Sequence, residues 1–185
     1  MKMRSSFSLL SVLGILALGP AGARAAKVGD TVQSPELRDA SDAPTAIPDF
    51  GVKLLAIFYT DADEADMNDP LADAIKAKKF DETVYRGIGV ANLADSKAPN
   101  FLIRKIIRGK IEKYKSTILT DPDHQLSAAW DLGDCNNTSV FVLVGKDKQV
   151  KHLQRGPIRG ADIDAILAKM VALLEPAPAA PAPAQ

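Results

Sequence analysis

Apolar positions in this chain follow two rhythms, short unbroken runs and stripes at helical spacing, and the two alternate. Val52 to Tyr59 (VKLLAIFY) is apolar except for Lys53 and reads as a strand buried on both faces. An acidic stretch follows, and then a helix is predicted over Pro70 to Lys79. Asp69 would be its capping carboxylate and Pro70 its first helical residue. A helix that begins near Asp61 and kinks at Pro70 fits the same residues. Val84 to Asn92 reads as a second strand. Asn100 to Tyr114 reads as a long helix with Ile103, Ile107, Ile111 and Tyr114 on one stripe. A short strand over Ile118 to Thr120 is stopped by Asp121-Pro122, and His124 to Trp130 suits a short helix, with Trp130 as core or rim anchor.

Two strands then come close together. Val140 to Val144 is wholly apolar, and Val150 to Leu153 follows after Gly145 to Gln149, a connection that suits a hairpin. The last helix has the clearest pattern in the chain: Ile163, Ile166, Leu167, Met170, Val171 and Leu174 cover one helix face. Strands that alternate with helices predict an α/β fold with a partly parallel sheet covered by helices.

Both ends read differently from this central part. Lys2 and Arg4 precede an apolar run from Phe7 to Leu18, and Ala23-Arg24-Ala25 supplies the small residues of a cleavage site. Residues 1–25 are therefore expected to be a signal peptide. The apolar run is shorter than the ~20 residues a spanning helix needs, so no integral membrane span is expected after cleavage. Residues 176–185 are Pro and Ala with a final Gln, which predicts an extended, unpacked tail. Residues 26–175 remain as one domain. The expected compartment is the periplasm.

The chain of 185 residues carries 23 basic and 23 acidic side chains, and removal of residues 1–25 would leave a net charge of −3. Nothing in that balance suggests a nucleic-acid partner. A single cysteine, Cys135, excludes an intrachain disulfide framework and a cysteine-based zinc site. Charge is nevertheless uneven. Residues 97–115 hold Lys97, Arg104, Lys105, Arg108, Lys110, Lys113 and Lys115 against Glu112 alone. That is either a solvated face or a contact for anionic headgroups or an acidic partner.

The segment LLAIFYTDADEAD resembles the strand and active-site turn of thioredoxin-like proteins, in which an apolar strand runs into a Cys-x-x-Cys that opens a helix. SVFVLVGKDKQVKHLQRGPI resembles their closing hairpin. Within that superfamily the chain looks most like the YtfJ family of bacterial periplasmic proteins, through Phe58 to Asp61, the long basic helix, the DPDH strand end, Ala129 to Leu132 and a Ser before the hairpin strand. The resemblance implies a central mixed sheet flanked by helices, closed by a β-hairpin and a C-terminal helix.

Carried over from that resemblance, the two cysteine positions fall on Asp63 and Asp66, and the cis-proline position falls on Ser139. Disulfide exchange needs an attacking thiolate and a second, resolving thiol, and a carboxylate is neither. A redox-inactive module is therefore expected, with no catalytic residues, no cofactor and no metal. It would bind an unknown protein or peptide through Asp63, Asp66, Cys135 and Ser139. Two enzymatic readings stand beside it. Cys135 could serve as a single-cysteine peroxidase or redox sensor if it were an exposed, electropositive thiolate, although Asp134 beside it opposes that. Asp61-x-Asp63 after a strand resembles the start of an aspartate-dependent phosphatase, but Ala65 stands where that motif continues with Thr or Val. The acidic group Asp61, Asp63, Glu64 and Asp66 also lacks calcium-loop spacing. His124 and His152 do not form a two-histidine metal motif.

Overall fold

The structure, a computed structural model, describes residues 26–175. The expected signal peptide (1–25) and the Pro/Ala tail (176–185) lie outside the described residues. The strands are β1 (Leu37–Arg38), β2 (Pro44–Thr45), β3 (Leu54–Asp61), β4 (Tyr85–Asn92), β5 (Thr117–Asp121), β6 (Ser139–Val144) and β7 (Val150–Arg155). The helices are α1 (Asp69–Ala77), α2 (Asn100–Tyr114), α3 (Gln125–Ala129) and α4 (Ala161–Leu174), and a 3-10 turn spans Ala62–Glu64.

The strands form one sheet in the order β2-β1-β5-β4-β3-β6-β7. β3, β4 and β5 are parallel, and β6 and β7 close the sheet as an antiparallel hairpin. The expected mixed sheet, closing hairpin and C-terminal helix are all present. β3 is central because both of its faces are apolar. Leu55, Ile57 and Tyr59 enter one core with Val140, Val142, Leu126, Trp130 and the N-terminal segment. Ala56 enters the opposite core with Phe141, α1 and α4, and Phe58 packs against it. Phe58 and Phe141 stack at 4.9 Å between ring centroids, the spacing that favours tilted aromatic pairs. α2 lays Ile103 and Ile107 against Leu93, Ala40 and Ile118.

Several expectations need correction. The two-residue strands β1 and β2 have no counterpart in the sequence pattern, because pairs of residues carry no periodic signal. Neither helix start expected around Asp61–Pro70 is right in detail. A separate 3-10 turn follows β3, and α1 begins at Asp69 with Asn68 at the cap position. Asn68 does not cap the helix. Its amide donates to Gly156 O and its carbonyl accepts from Ile158 N–H, which ties α1 to the segment before α4. Tyr114 is exposed, not part of the buried stripe. α2 ends just beyond it at Lys115, whose left-handed backbone (φ 54°) turns the chain away while its N–H donates to Ile111 O. Trp130 is core, and its indole N–H donates to Gln33 O at 2.7 Å.

Candidate functional site at the strand ends

The three parallel strands each end in a polar residue. Asp61, Asn92 and Asp121 are register partners across β3, β4 and β5, and all are fully buried. They continue the Tyr59, Val90 and Leu119 side of the sheet by one polar step. In an open α/β sheet, the carboxyl ends of parallel strands are where ligands bind, so the local wiring here decides what the site can do.

Asp61 is committed on both oxygens. Asp63 N–H donates to Oδ1 at 2.9 Å, and Asn137 N–H donates to Oδ2 at 2.6 Å. One carboxylate thereby joins the 3-10 turn to the loop before β6. Asp63 is exposed and reaches the other neighbouring loop. Ser96 Oγ donates to Oδ1 at 2.8 Å, and Lys97 N–H donates to Oδ2 at 3.2 Å. The Ser96 hydroxyl and then the Lys97 N–H hold the Asp63 carboxyl below the usual carboxylate range. Within the 92–97 loop, Asn92 donates to Asp95 Oδ2 at 2.6 Å, and the same oxygen lies 2.8 Å from His124 Nε2. Burial works against charge on Asp95, yet the His124 ring and the Asn92 amide hold it below the usual range.

Asp121 completes the row. Its Oδ1 accepts from Gln125 N–H at 2.8 Å and its Oδ2 from Leu126 N–H at 2.9 Å, at the start of α3. The Tyr59 hydroxyl donates to the same Oδ2 at 3.1 Å. Burial, ahead of the neighbouring carboxylate, pushes the Tyr59 phenol far above its ordinary value.

The four residues expected to form the site separate into two groups. Asp63 and Asp66 stand together in the exposed turn at the mouth of β3. Ser139 is buried as the first residue of β6, paired in register with Thr60, and its Oγ lies 2.7 Å from Thr60 Oγ1. Cys135 is 2% exposed and belongs to the core beneath Trp130 and Leu132. Its thiol donates to Gly133 O at 3.4 Å, and Arg155 Nη2 approaches the sulfur at 3.8 Å. Arg155 also donates to Asp134 O and Leu132 O, so the guanidinium braces the whole loop. Burial pushes the Cys135 thiol up despite that nearby cation. The sequence reading missed Asn92, Asp95, Ser96, Asp121, His124 and Asn137. Its one available clue was that each parallel strand ends on Asp or Asn.

The family described as "Bacterial protein of unknown function (YtfJ_HI0045)" matches residues 52–173. The chain belongs to this family. No curated protein matches it. Among solved structures, a thiol-disulfide isomerase from Corynebacterium glutamicum is similar at TM-score 0.58 and 13% identity, over 80% of this chain and 98% of that one. A thiol peroxidase from Chromobacterium violaceum is similar at TM-score 0.58 and 16% identity, over 80% and 88% of the two chains. A peroxiredoxin-like protein from Aquifex aeolicus is similar at TM-score 0.57 and 12% identity, over 82% and 90%. At such identities the likeness is one of fold, and it identifies the YtfJ chain as thioredoxin-like.

In this YtfJ chain no cluster of three or more His, Cys, Asp or Glu side chains is placed to hold a metal ion among the described residues. The carboxylates of the row and of Asp63 are instead occupied by N–H and O–H donors of the protein. Of two hollows among the described residues, neither is lined by Asp61, Asp63, Asp66, Asn92 or Asp121. One lies at the opposite end of β3, against Leu54, Gly145, Lys151 and Leu173, and the other lies against Ser34 and Pro44.

Proposed function

We propose that this YtfJ-family chain is an exported, redox-inactive thioredoxin-like domain of the bacterial envelope. It binds a protein or peptide partner at the face formed by the strand ends, with Asp63 and Asp66 on the surface and Ser139 and Cys135 supporting the loops behind them. The location rests on the sequence of residues 1–25, in which a basic start, an apolar run and small residues occur in order. No helix among the described residues is long and apolar enough to cross a membrane.

One observation carries the reading. The single thiol lies in the core, while the turn at the mouth of β3 carries carboxylates clasped to both neighbouring loops. Electron exchange through a disulfide needs two accessible sulfurs, and this chain holds one cysteine. A peroxidatic role needs an exposed thiolate, and burial favours the protonated thiol of Cys135. An aspartate nucleophile needs a free oxygen facing substrate, and both oxygens of buried Asp61 accept backbone N–H groups. The exposed rim is rich in carboxylates, which favours a partner segment with basic side chains.

The test has two arms. The purified protein is expected to show no insulin reduction and no peroxide consumption above background. A turnover abolished by Cys135→Ser would overturn the redox-inactive reading, and one abolished by Asp63→Ala would overturn the binding-module reading. In the second arm a photoreactive residue at position 66 is expected to crosslink an envelope protein that the same residue at position 147, at the opposite end of the sheet, does not. Equal capture from both positions would remove the strand-end face as the binding surface.

A further inference from the structure

The geometry points to a second surface: the outer face of α2 is a docking face for an anionic lipid bilayer. The observation is a pairing of exposed apolar and unpaired basic side chains on one helix. Phe101, Leu102 and Ile106 are 73%, 43% and 55% exposed, although Ile103 and Ile107 on the same helix are buried. Lys105, Lys110 and Lys113 share the exposed side with them. None of these lysines has an ion-pair partner among the described residues. The basic residues that do have partners lie nearer the protein body. Arg104 pairs with Asp42 at 2.6 Å and Arg108 donates to Ala40 O at 2.7 Å, so both fasten α2 to the β1–β2 corner.

Charge complementarity selects the occupant. Residues 97–115 carry a net charge of +6 in a chain that is neutral as a whole, so the rest carries −6. An isolated cationic helix on an otherwise acidic body is drawn to a polyanionic surface. The apolar trio selects a bilayer among polyanions. Phe101, Leu102 and Ile106 project from a convex helix, and a bilayer interface receives such side chains without a preformed pocket. Gly109 adds to the fit, since no neighbour stands within 4 Å of where its Cβ would be, and the backbone there is open to close approach. The apolar residues lie in the first two turns and Lys110 and Lys113 in the later ones. The N-terminal half would therefore enter the acyl boundary while the later lysines meet headgroup phosphates. This face is independent of the strand-end reading, and either can fail alone.

The test uses the chain from Ala26 onward, which contains all three core clusters, so the expected signal peptide contributes nothing. The protein is expected to sediment with vesicles containing phosphatidylglycerol and not with pure phosphatidylcholine. Binding should weaken as salt is raised. Each lysine near an anionic surface strengthens binding about fivefold, so Lys105→Glu with Lys110→Glu and Lys113→Glu should lower the affinity by a factor on the order of a hundred or more. Phe101→Ser with Ile106→Ser should lower it about tenfold. Circular dichroism should show both variants folded, since every substituted side chain is exposed. Absence of sedimentation, or equal sedimentation with both lipids, overturns the proposal. So does capture by soluble polyglutamate that matches vesicle binding and is unchanged by Phe101→Ser with Ile106→Ser, which would assign the face to an acidic protein.

Discussion

β3 and β5 flank β4, and both end in a fully buried aspartate, yet the two carboxylates use their oxygens differently. Asp121 acts mostly on its near neighbours in the chain. It accepts N–H groups of Asp123, Gln125 and Leu126, the residues that turn the chain into α3. Only the Tyr59 hydroxyl comes from elsewhere. Asp61 takes one N–H from its own turn and one from Asn137, which lies 76 residues away. The same residue type at the same register position therefore orders a local helix start in one strand and joins two distant loops in the other. Asp61 and its neighbour Asp63 together fasten the β3 turn to both loops beside it, so the turn that resembles a thiol active site is shaped here by carboxylates.

The contrast predicts a ranking. Asp121→Ala should be the most destabilising change in the row. It strips the acceptor from N–H groups at the start of α3 and from the buried Tyr59 hydroxyl, at a cost of about 3 kcal/mol. The measurement is the urea midpoint at constant slope. Asp61→Ala should cost less, about 2 kcal/mol, because it leaves two backbone N–H groups without their acceptor. The two changes should also differ in kind. Asp61→Ala should raise hydrogen exchange in both the 62–66 turn and the 131–138 loop, whereas Asp121→Ala should raise it around 123–129. If Asp61→Ala loosens only its own turn, the clasp between distant loops does not exist.

How much of this was legible in the sequence depends on the range of each interaction. The unbroken run of β3, the stripe of α4 and the Gly145–Gln149 connection are readable because each is a repeat or turn within a few residues. The bounds of α2 match the sequence pattern for the same reason. The contacts of Asp63 with Ser96, of Asp61 with Asn137 and of Asn68 with Ile158 span 33, 76 and 90 residues. No local pattern encodes them. Asn68 and Asp69 share every local sign of a helix cap, and tertiary bonding draws the Asn68 side chain away. Cys135 can be placed on the loop before β6 by counting, but the approach of Arg155 from β7 to its sulfur is one that no spacing rule reveals.

Tyr59→Phe removes the one long-range bond that Asp121 makes, together with the hydroxyl's 3.4 Å contact with Ser127 Oγ. The hydroxyl is buried and its donation to Asp121 is replaced by nothing, so the expected loss is about 1 kcal/mol. Combined with Asp121→Ala, the double variant should lose less than the sum of the single losses, because the second change removes a group whose partner is already absent. Strict additivity would show that Tyr59 and Asp121 do not share a bond worth measuring, and the distinction between local and distant carboxylates would then sharpen further.

The smallest effect separates the lowered carboxylates from His152 by pH. Asp63, Asp95, Asp81 and Asp147 are all held below the usual carboxylate range, so the stability they confer is complete above about pH 4 and drains away as the pH falls below that. His152 on β7 also has a lowered value, first through burial and then through Lys169. The unfolded chain takes up that proton near pH 6.5 while the folded ring stays neutral. Stability is therefore complete above about 6.5 and declines as the pH falls from there through the lowered folded value. The urea midpoint should show a shallow decline below pH 6.5 and a steeper one below pH 4. His152→Gln should abolish the first and leave the second, because it removes the titrating ring and leaves the clasp intact. If the shallow decline persists in His152→Gln, burial of the β7 ring is not its source.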